Sequence, residues 1–276
     1  MLVMNKMNTD LRNYLQQNHY QLTWKERIQI TRDIIVALSA IHNENAIHRD
    51  LHSGNLLYLQ SSQRFEISDL GFCGPADKLP TSIYGNLPYI APEVISRKEY
   101  TFKSDIYSIG MLMWEISSGQ PPFSIYEHDL DFAMNIINGM RPKIVPGTPL
   151  EYKSLMEQCW DADPLKRPDI YSLFNKINEI NLHYQNISSE LTQQIQPDEP
   201  KTNYISSKLY TSKVHQFENM PEPKNATEGN FITYYHQLIF HLLITSLLFF
   251  NNRKTRRYEL IISLFYLQTI SHFFIF

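Results

Sequence analysis

At 276 residues, with 43% hydrophobic and 19% charged side chains, the chain holds enough apolar material for one large domain plus an appendage. Its 25 basic residues against 28 acidic ones leave a formal charge of −3, which argues against a dedicated nucleic-acid surface. Cys73 and Cys159 are the only cysteines, which excludes a disulfide framework or a C-x-x-C metal site and points to a reducing, cytoplasmic compartment. No charged-then-apolar secretory leader opens the sequence, so the sequons at Asn186 and Asn225 are expected to be silent.

In chain order, Met1–Met4 reads as a short strand. Thr23-Trp24-Lys25-Glu26 is a capping box, and Ile28, Ile30, Ile34, Ile35, Leu38 and Ile41 follow at helical spacing. A largely apolar helix is expected over 105–117, with Ser104 as its N-cap and Gly119, Pro121 and Pro122 as its stop. Segments near 127–138, 150–159 and 169–182 complete a helical set joined by Pro- and Gly-containing turns. From 183 to 230 polar residues dominate, with Pro197, Pro200, Pro221 and Pro223, so a disordered linker is expected.

Residues 231–276 form an apolar tail, with stretches at 231–250 and 258–276 near the roughly 20-residue length that spans a bilayer. A membrane hairpin is one reading. Against it, basic loops stay cytoplasmic, and Arg253, Lys254, Arg256 and Arg257 in the connector would put the preceding lobe on the opposite side. His236, Gln237, His241, Thr245 and Ser246 also weaken the first span. An artefactual or surface-associating tail, in keeping with its A/T-rich codon preference, is the favoured expectation.

The residues richest in chemistry are His48-Arg49-Asp50-Leu51-His52-Ser53-Gly54-Asn55, then Ser68-Asp69-Leu70-Gly71, then Ala91-Pro92-Glu93. Asp69-Leu70-Gly71 alone would read as a hairpin turn, but three ordered motifs outweigh that. The set resembles the protein kinase signatures H-R-D-L-x-x-x-N, D-F-G and A-P-E, and residues 1–182 look like the C-terminal lobe of a serine/threonine or tyrosine-kinase-like member. The resemblance implies a mainly α fold: the helical C-lobe of the protein kinase-like fold, with short β-hairpins at the catalytic loop and here an apolar helical tail.

The resemblance also implies roles. Asp50 would accept the proton of the acceptor hydroxyl, and Asn55 and Asp69 would hold magnesium, a hard cation that prefers oxygen ligands. Met7 on the hinge and Leu57 on the pocket floor would bind adenine of ATP. Arg49 would face a phosphorylated activation segment, with Thr81, Ser82 and Tyr84 as acceptors, since a guanidinium binds phosphate bidentately. His48 would be packed and backbone-bonded. Asp105, in Ser104-Asp105-Ile106-Tyr107-Ser108-Ile109-Gly110, would hold the catalytic-loop backbone, and Arg167 would pair with Glu93.

The sequence departs from the family pattern at several positions. His52 stands where serine/threonine kinases carry lysine, making a fixed charge near the transferred phosphate titratable. Leu70 replaces Phe, a volume-tolerant change. Asn86 stands for Thr, which removes a hydroxyl that often bonds the base. Tyr89 favours serine or threonine acceptors, whereas Cys159-Trp160 leans to the tyrosine-kinase-like branch. The 47 residues before His48 contain no Gly-rich phosphate loop and no V-A-I-K lysine, so an absent N-terminal lobe and impaired transfer are expected. The expected function is ATP- and magnesium-dependent phosphoryl transfer to a protein substrate; the alternative is a catalytically inactive interaction module or a fragment.

Overall fold

The structure, a computed structural model, describes residues 7–75, 83–186, 211–217 and 220–225. Numbered in chain order, its helices are α1 (Leu11–Asn18), α2 (Trp24–Asn43), α3 (Pro92–Ile95), α4 (Phe102–Ser118), α5 (Leu130–Ile137), α6 (Leu150–Cys159) and α7 (Ile170–Asn186). The strands are β1 (Thr9–Asp10), β2 (Ala46–Ile47), β3 (Leu56–Leu59), β4 (Arg64–Ile67), β5 (Gly74–Pro75), β6 (Ile83–Gly85) and β7 (Lys213–His215).

Helix α4 is central because it offers no polar stripe: every residue from Ser104 to Met113 is buried. It begins one turn earlier than the sequence pattern predicts. Thr101 is the N-cap, and Ser104 sits inside the first turn, where its Oγ accepts the Thr101 N–H at 3.1 Å. At the other end Gly119 adopts φ +72° and closes the helix in the left-handed conformation.

Helix α2 starts as its capping box requires. The Thr23 N–H donates to Glu26 Oε2 at 2.7 Å, while Thr23 Oγ1 accepts the Glu26 N–H at 3.4 Å. Ile28, Ile34, Ile35 and Leu38 on this helix are buried, and the helix packs against α4 and α7. Burying each such side chain stabilises the fold by about 1.5–3 kcal/mol before chain entropy is counted. The segment from Glu44 to Ile47 then leaves the helix and delivers the chain to His48.

Among the described residues, three small antiparallel sheets hold the loops. Strand β3 lies between β1 and β4, with Asp10 opposite Leu57 and Leu56 opposite Ile67. Strand β2 pairs with β5, joining Ile47 to Gly74. Strand β6 pairs with β7 in the register Ile83–His215, Tyr84–Val214 and Gly85–Lys213.

The last pairing departs from the expected linker. Composition argues for disorder over 183–230, but α7 continues to Asn186, and residues 211–217 and 220–225 lie on the lobe. Phe217 is buried, and its carbonyl accepts from Arg97 Nε at 2.7 Å. The Pro221 carbonyl accepts from Ser96 Oγ at 2.8 Å, and the Lys224 N–H donates to the Ile137 carbonyl at 2.8 Å. One buried aromatic ring and a set of main-chain bonds offset the ordering cost that polar composition alone cannot. The strand proposed at Met1–Met4 and the tail over 231–276 lie outside the described residues. Among the described residues, no helix is long and apolar enough to cross a membrane.

Candidate active site

The loop from His48 to Asn55 is fixed from below by Asp105, near the start of α4. Asp105 Oδ2 accepts the His48 N–H at 2.8 Å and Oδ1 accepts the Arg49 N–H at 3.0 Å. His42 Nε2, at the end of α2, stands 2.9 Å from Oδ2. Charge-assisted bonds to consecutive amides allow the backbone its unusual course, including φ +72° at Arg49. His48 is fully buried; its Nε2 is 3.1 Å from the Ser68 carbonyl and its Nδ1 accepts the Asp50 N–H at 3.3 Å. The imidazole therefore couples the loop to the strand end that carries Asp69.

Asp50 is 4% exposed, at the head of this loop. Asn55 Nδ2 donates to the Asp50 carbonyl at 2.9 Å and lies 3.4 Å from its Oδ2, so Oδ1 is the oxygen left to meet another group. That group is Ser212, whose Oγ donates to Oδ1 at 2.7 Å. Burial alone would raise the Asp50 pKa. Hydrogen bonding and charge from His52, the Ser212 hydroxyl and the neighbouring His48 outweigh it and hold the carboxyl below its ordinary range.

His52 folds back onto its own loop. Its Nδ1 accepts the Gly54 N–H at 3.0 Å, which assigns the proton of the neutral ring to Nε2. That Nε2 lies 3.0 Å from Ser212 Oγ and 3.7 Å from Asp50 Oδ1. The ring is a donor aimed at the same hydroxyl that Asp50 receives from. Its fold-back needs Gly54, since a Cβ there would sit 2.9 Å from His52 Cε1.

Asp69 stands exposed at the end of β4 in the left-handed conformation, φ +57°. Both the amide and the hydroxyl of Ser68 donate to the Asn55 carbonyl, at 2.8 and 3.0 Å, which ties the two oxygen-bearing residues into one unit. With Asn55 Nδ2 committed to Asp50, the Asn55 Oδ1 and the Asp69 carboxylate are an all-oxygen donor pair of the type magnesium prefers. The donor chemistry fits the ion.

Leu57 is half-buried on β3, and Met7 precedes β1, the neighbouring strand, where the Asn8 N–H donates to the Tyr58 carbonyl at 3.0 Å. Arg49 directs its guanidinium to main-chain oxygens, with Nη2 donating to Pro75 at 2.8 Å and Nη1 to Phe72 at 3.4 Å. Tyr84 stacks on Phe72 with centroids 3.8 Å apart, and its backbone is gripped by the Tyr100 hydroxyl. Thr81 and Ser82 lie outside the described residues. Arg167 is fully buried and forks onto Glu93, with Nη1 to Oε1 and Nη2 to Oε2 both at 2.7 Å.

Several contributors lack a sequence signal of their own. Gly85 has φ +139° and a Cβ there would lie 3.2 Å from Asp50 Oδ1, so the strand passes close to Asp50 only without a side chain. Beneath His52, the buried Tyr89 hydroxyl donates to Glu115 at 2.6 Å, and Arg12 Nε donates to Ser53 at 3.3 Å. Burial holds the Glu115 carboxyl above its ordinary range, and the nearby Arg12 charge only partly offsets this. Ser212 lies in the polar segment and is the least foreseeable of all. Cysteine nucleophile chemistry is disfavoured, because burial pushes the thiols of Cys73 and Cys159 up to about 11 and about 12.

Residues 1–177 match the family described as protein tyrosine and serine/threonine kinase. The human Dual serine/threonine and tyrosine protein kinase is 36% identical over 172 residues, covering 61% of this chain and 18% of that protein. The Dual specificity protein kinase zakA of Dictyostelium discoideum is 32% identical over 200 residues, covering 66% of this chain and 26% of that protein. The chain thus spans only a minor part of the length of these curated relatives. A match over well beyond half its length shows that the chain belongs to the protein tyrosine and serine/threonine kinase family.

Proposed function

We propose that the Asp50 site transfers the γ-phosphate of ATP to serine or threonine hydroxyls of a protein substrate. The observation that carries this reading is the 2.7 Å contact between a hydroxyl and Asp50 Oδ1. An acceptor oxygen in that place has its proton taken by Asp50 as its lone pair turns to phosphorus. The His52 Nε2–H, 3.0 Å from the same oxygen, orients it. Asn55 holds the other face of the carboxylate, so the base presents one oxygen in a fixed direction.

Magnesium, when bound, neutralises charge on the phosphate oxygens; Asn55 and Asp69 are the residues that would hold it. Met7 and Leu57, on and beside the β1–β3 pair, would contact adenine. Arg49, which now donates to main-chain carbonyls, would exchange them for a phosphate on the activation segment, where Tyr84, Thr81 and Ser82 are the acceptors we assign. The preference for serine and threonine rests on reach. The short side chain of Ser212 already meets Asp50 from a backbone paired to β6, and a phenol on that backbone would overrun the carboxylate.

The test is transfer from magnesium-ATP to a generic acceptor protein by the wild type and Asp50→Asn. Loss of the base is expected to lower turnover by about 100-fold or more. Wild-type turnover in Asp50→Asn would end the assignment.

A further inference from the structure

We propose that Ser212 is an intramolecular phospho-acceptor, carried to Asp50 by the strand β7 that the chain lays along its own activation segment. The inference rests on the kinase reading above and adds the identity of one substrate: the chain itself.

Three independent contacts seat the segment. Its backbone pairs with β6 over Lys213–His215, the way an extended peptide adds a strand to an exposed edge. Its side chains grip both flanks, with Lys213 Nζ donating to the His128 carbonyl at 3.1 Å and the His215 imidazole 3.1 Å from the Gly85 carbonyl. Downstream, the buried Phe217 and the bonds from Ser96 and Arg97 anchor it to the loop after α3. Register then does the rest. With Lys213 opposite Gly85, the residue before it falls over the catalytic loop, and that residue is a serine. Its hydroxyl donates to the base at 2.7 Å and receives the His52 ring at 3.0 Å, the two contacts an acceptor needs.

The step balances. The Ser212 O–H bond breaks and its proton goes to Asp50 Oδ1; the Oγ lone pair forms a bond to the γ-phosphorus of ATP; the bond from that phosphorus to the bridging oxygen breaks, and ADP leaves with the electron pair. Once Asp50 returns its proton to solvent, phosphoserine and carboxylate face each other as like charges. Repulsion then drives β7 off the site and opens it to other proteins. Before that step, the same strand keeps them out.

The experiment incubates the purified chain with magnesium-ATP and a generic acceptor protein over a wide range of chain concentration, and maps phosphate by mass spectrometry. Phosphate on Ser212, at a first-order rate independent of concentration and absent from Ser212→Ala, is expected. Phosphorylated acceptor protein without phosphate on Ser212 overturns this inference and leaves the kinase reading standing. A Ser212 rate that rises with concentration also overturns it. Labelling of neither removes both readings. A second measurement needs no nucleotide: hydrogen exchange should find the Lys213–His215 amides protected in the wild type and in Ser212→Ala, and released at least tenfold faster in Ser212→Glu. Unprotected amides in the wild type, or unchanged protection in Ser212→Glu, would overturn the docking on which the proposal depends.

Discussion

At the scale of single residues, the site is built from side chains whose neighbours leave them one orientation. Asp50 has one oxygen against Asn55 and the other against the Ser212 hydroxyl, and His52 has one nitrogen spent on the Gly54 amide. Gly85 is the least visible part of this geometry and the most exposed to a test. Alanine there must adopt φ +139° and place its Cβ 3.2 Å from Asp50 Oδ1 and 3.3 Å from Ile90. We expect Gly85→Ala to lower kcat by about tenfold or more by displacing Asp50, the base we propose, at a stability cost of about 1–3 kcal/mol. Steady-state kinetics beside a denaturant titration separates the two effects, and an unchanged kcat would show that Asp50 does not depend on this close approach. The pH profile is a companion check. Because Asp50 is held below its ordinary range, it is ionised at neutral pH, and a rate limited by it falls only as pH drops through the acidic carboxylate range. Loss beginning near neutrality would point to a different group.

At the scale of elements, the parts legible in the sequence are those specified within a few residues. The Thr23–Glu26 capping box, the apolar run of α4 and its Gly119 stop are local, and Asp50, His52 and Asn55 lie within six consecutive residues. The start of α4 was displaced because Thr101 and Ser104 are both competent caps, and only tertiary packing selects between them. Strand β7 was hidden for a different reason. Lys213–His215 has no alternating apolar pattern strong enough to mark a strand, and its pairing with β6 spans about 130 residues of sequence, which no local rule registers. Pairs that link elements carry their own prediction. Arg167 precedes α7, Glu93 lies in α3, and the fork between them is buried with both ends at 2.7 Å. Removing one partner strands the other charge, so Glu93→Ala should destabilise the fold by about 3–5 kcal/mol. A chemical-denaturation midpoint close to that of the wild type would contradict it.

At the scale of the whole molecule, stability should depend on pH through histidines that the fold buries neutral. Burial lowers His19 to about 4, helped by the Arg27 charge, and lowers His128 to about 4, helped by Lys213 and His215. In the unfolded chain each returns to the ordinary imidazole value of about 6.5. Between those values the unfolded state binds more protons than the folded one, so stability is full above about pH 6.5 and declines as pH falls toward 4. Each histidine then removes about 2 kcal/mol on going from pH 7 to pH 5. His19 gives the cleaner test because its surroundings are closely packed: the ring lies against Gly119, where a Cβ would come within 2.4 Å of its Cγ, and Nε2 meets the Ser117 carbonyl at 3.1 Å. His19→Gln keeps a donor for that carbonyl and removes the titration. Urea unfolding at pH 7 and pH 5 should therefore show a difference smaller by about 2 kcal/mol in His19→Gln than in the wild type, whatever the variant does to stability at pH 7. Equal pH differences in the two proteins would mean that His19 is not the group whose neutrality the folded state enforces.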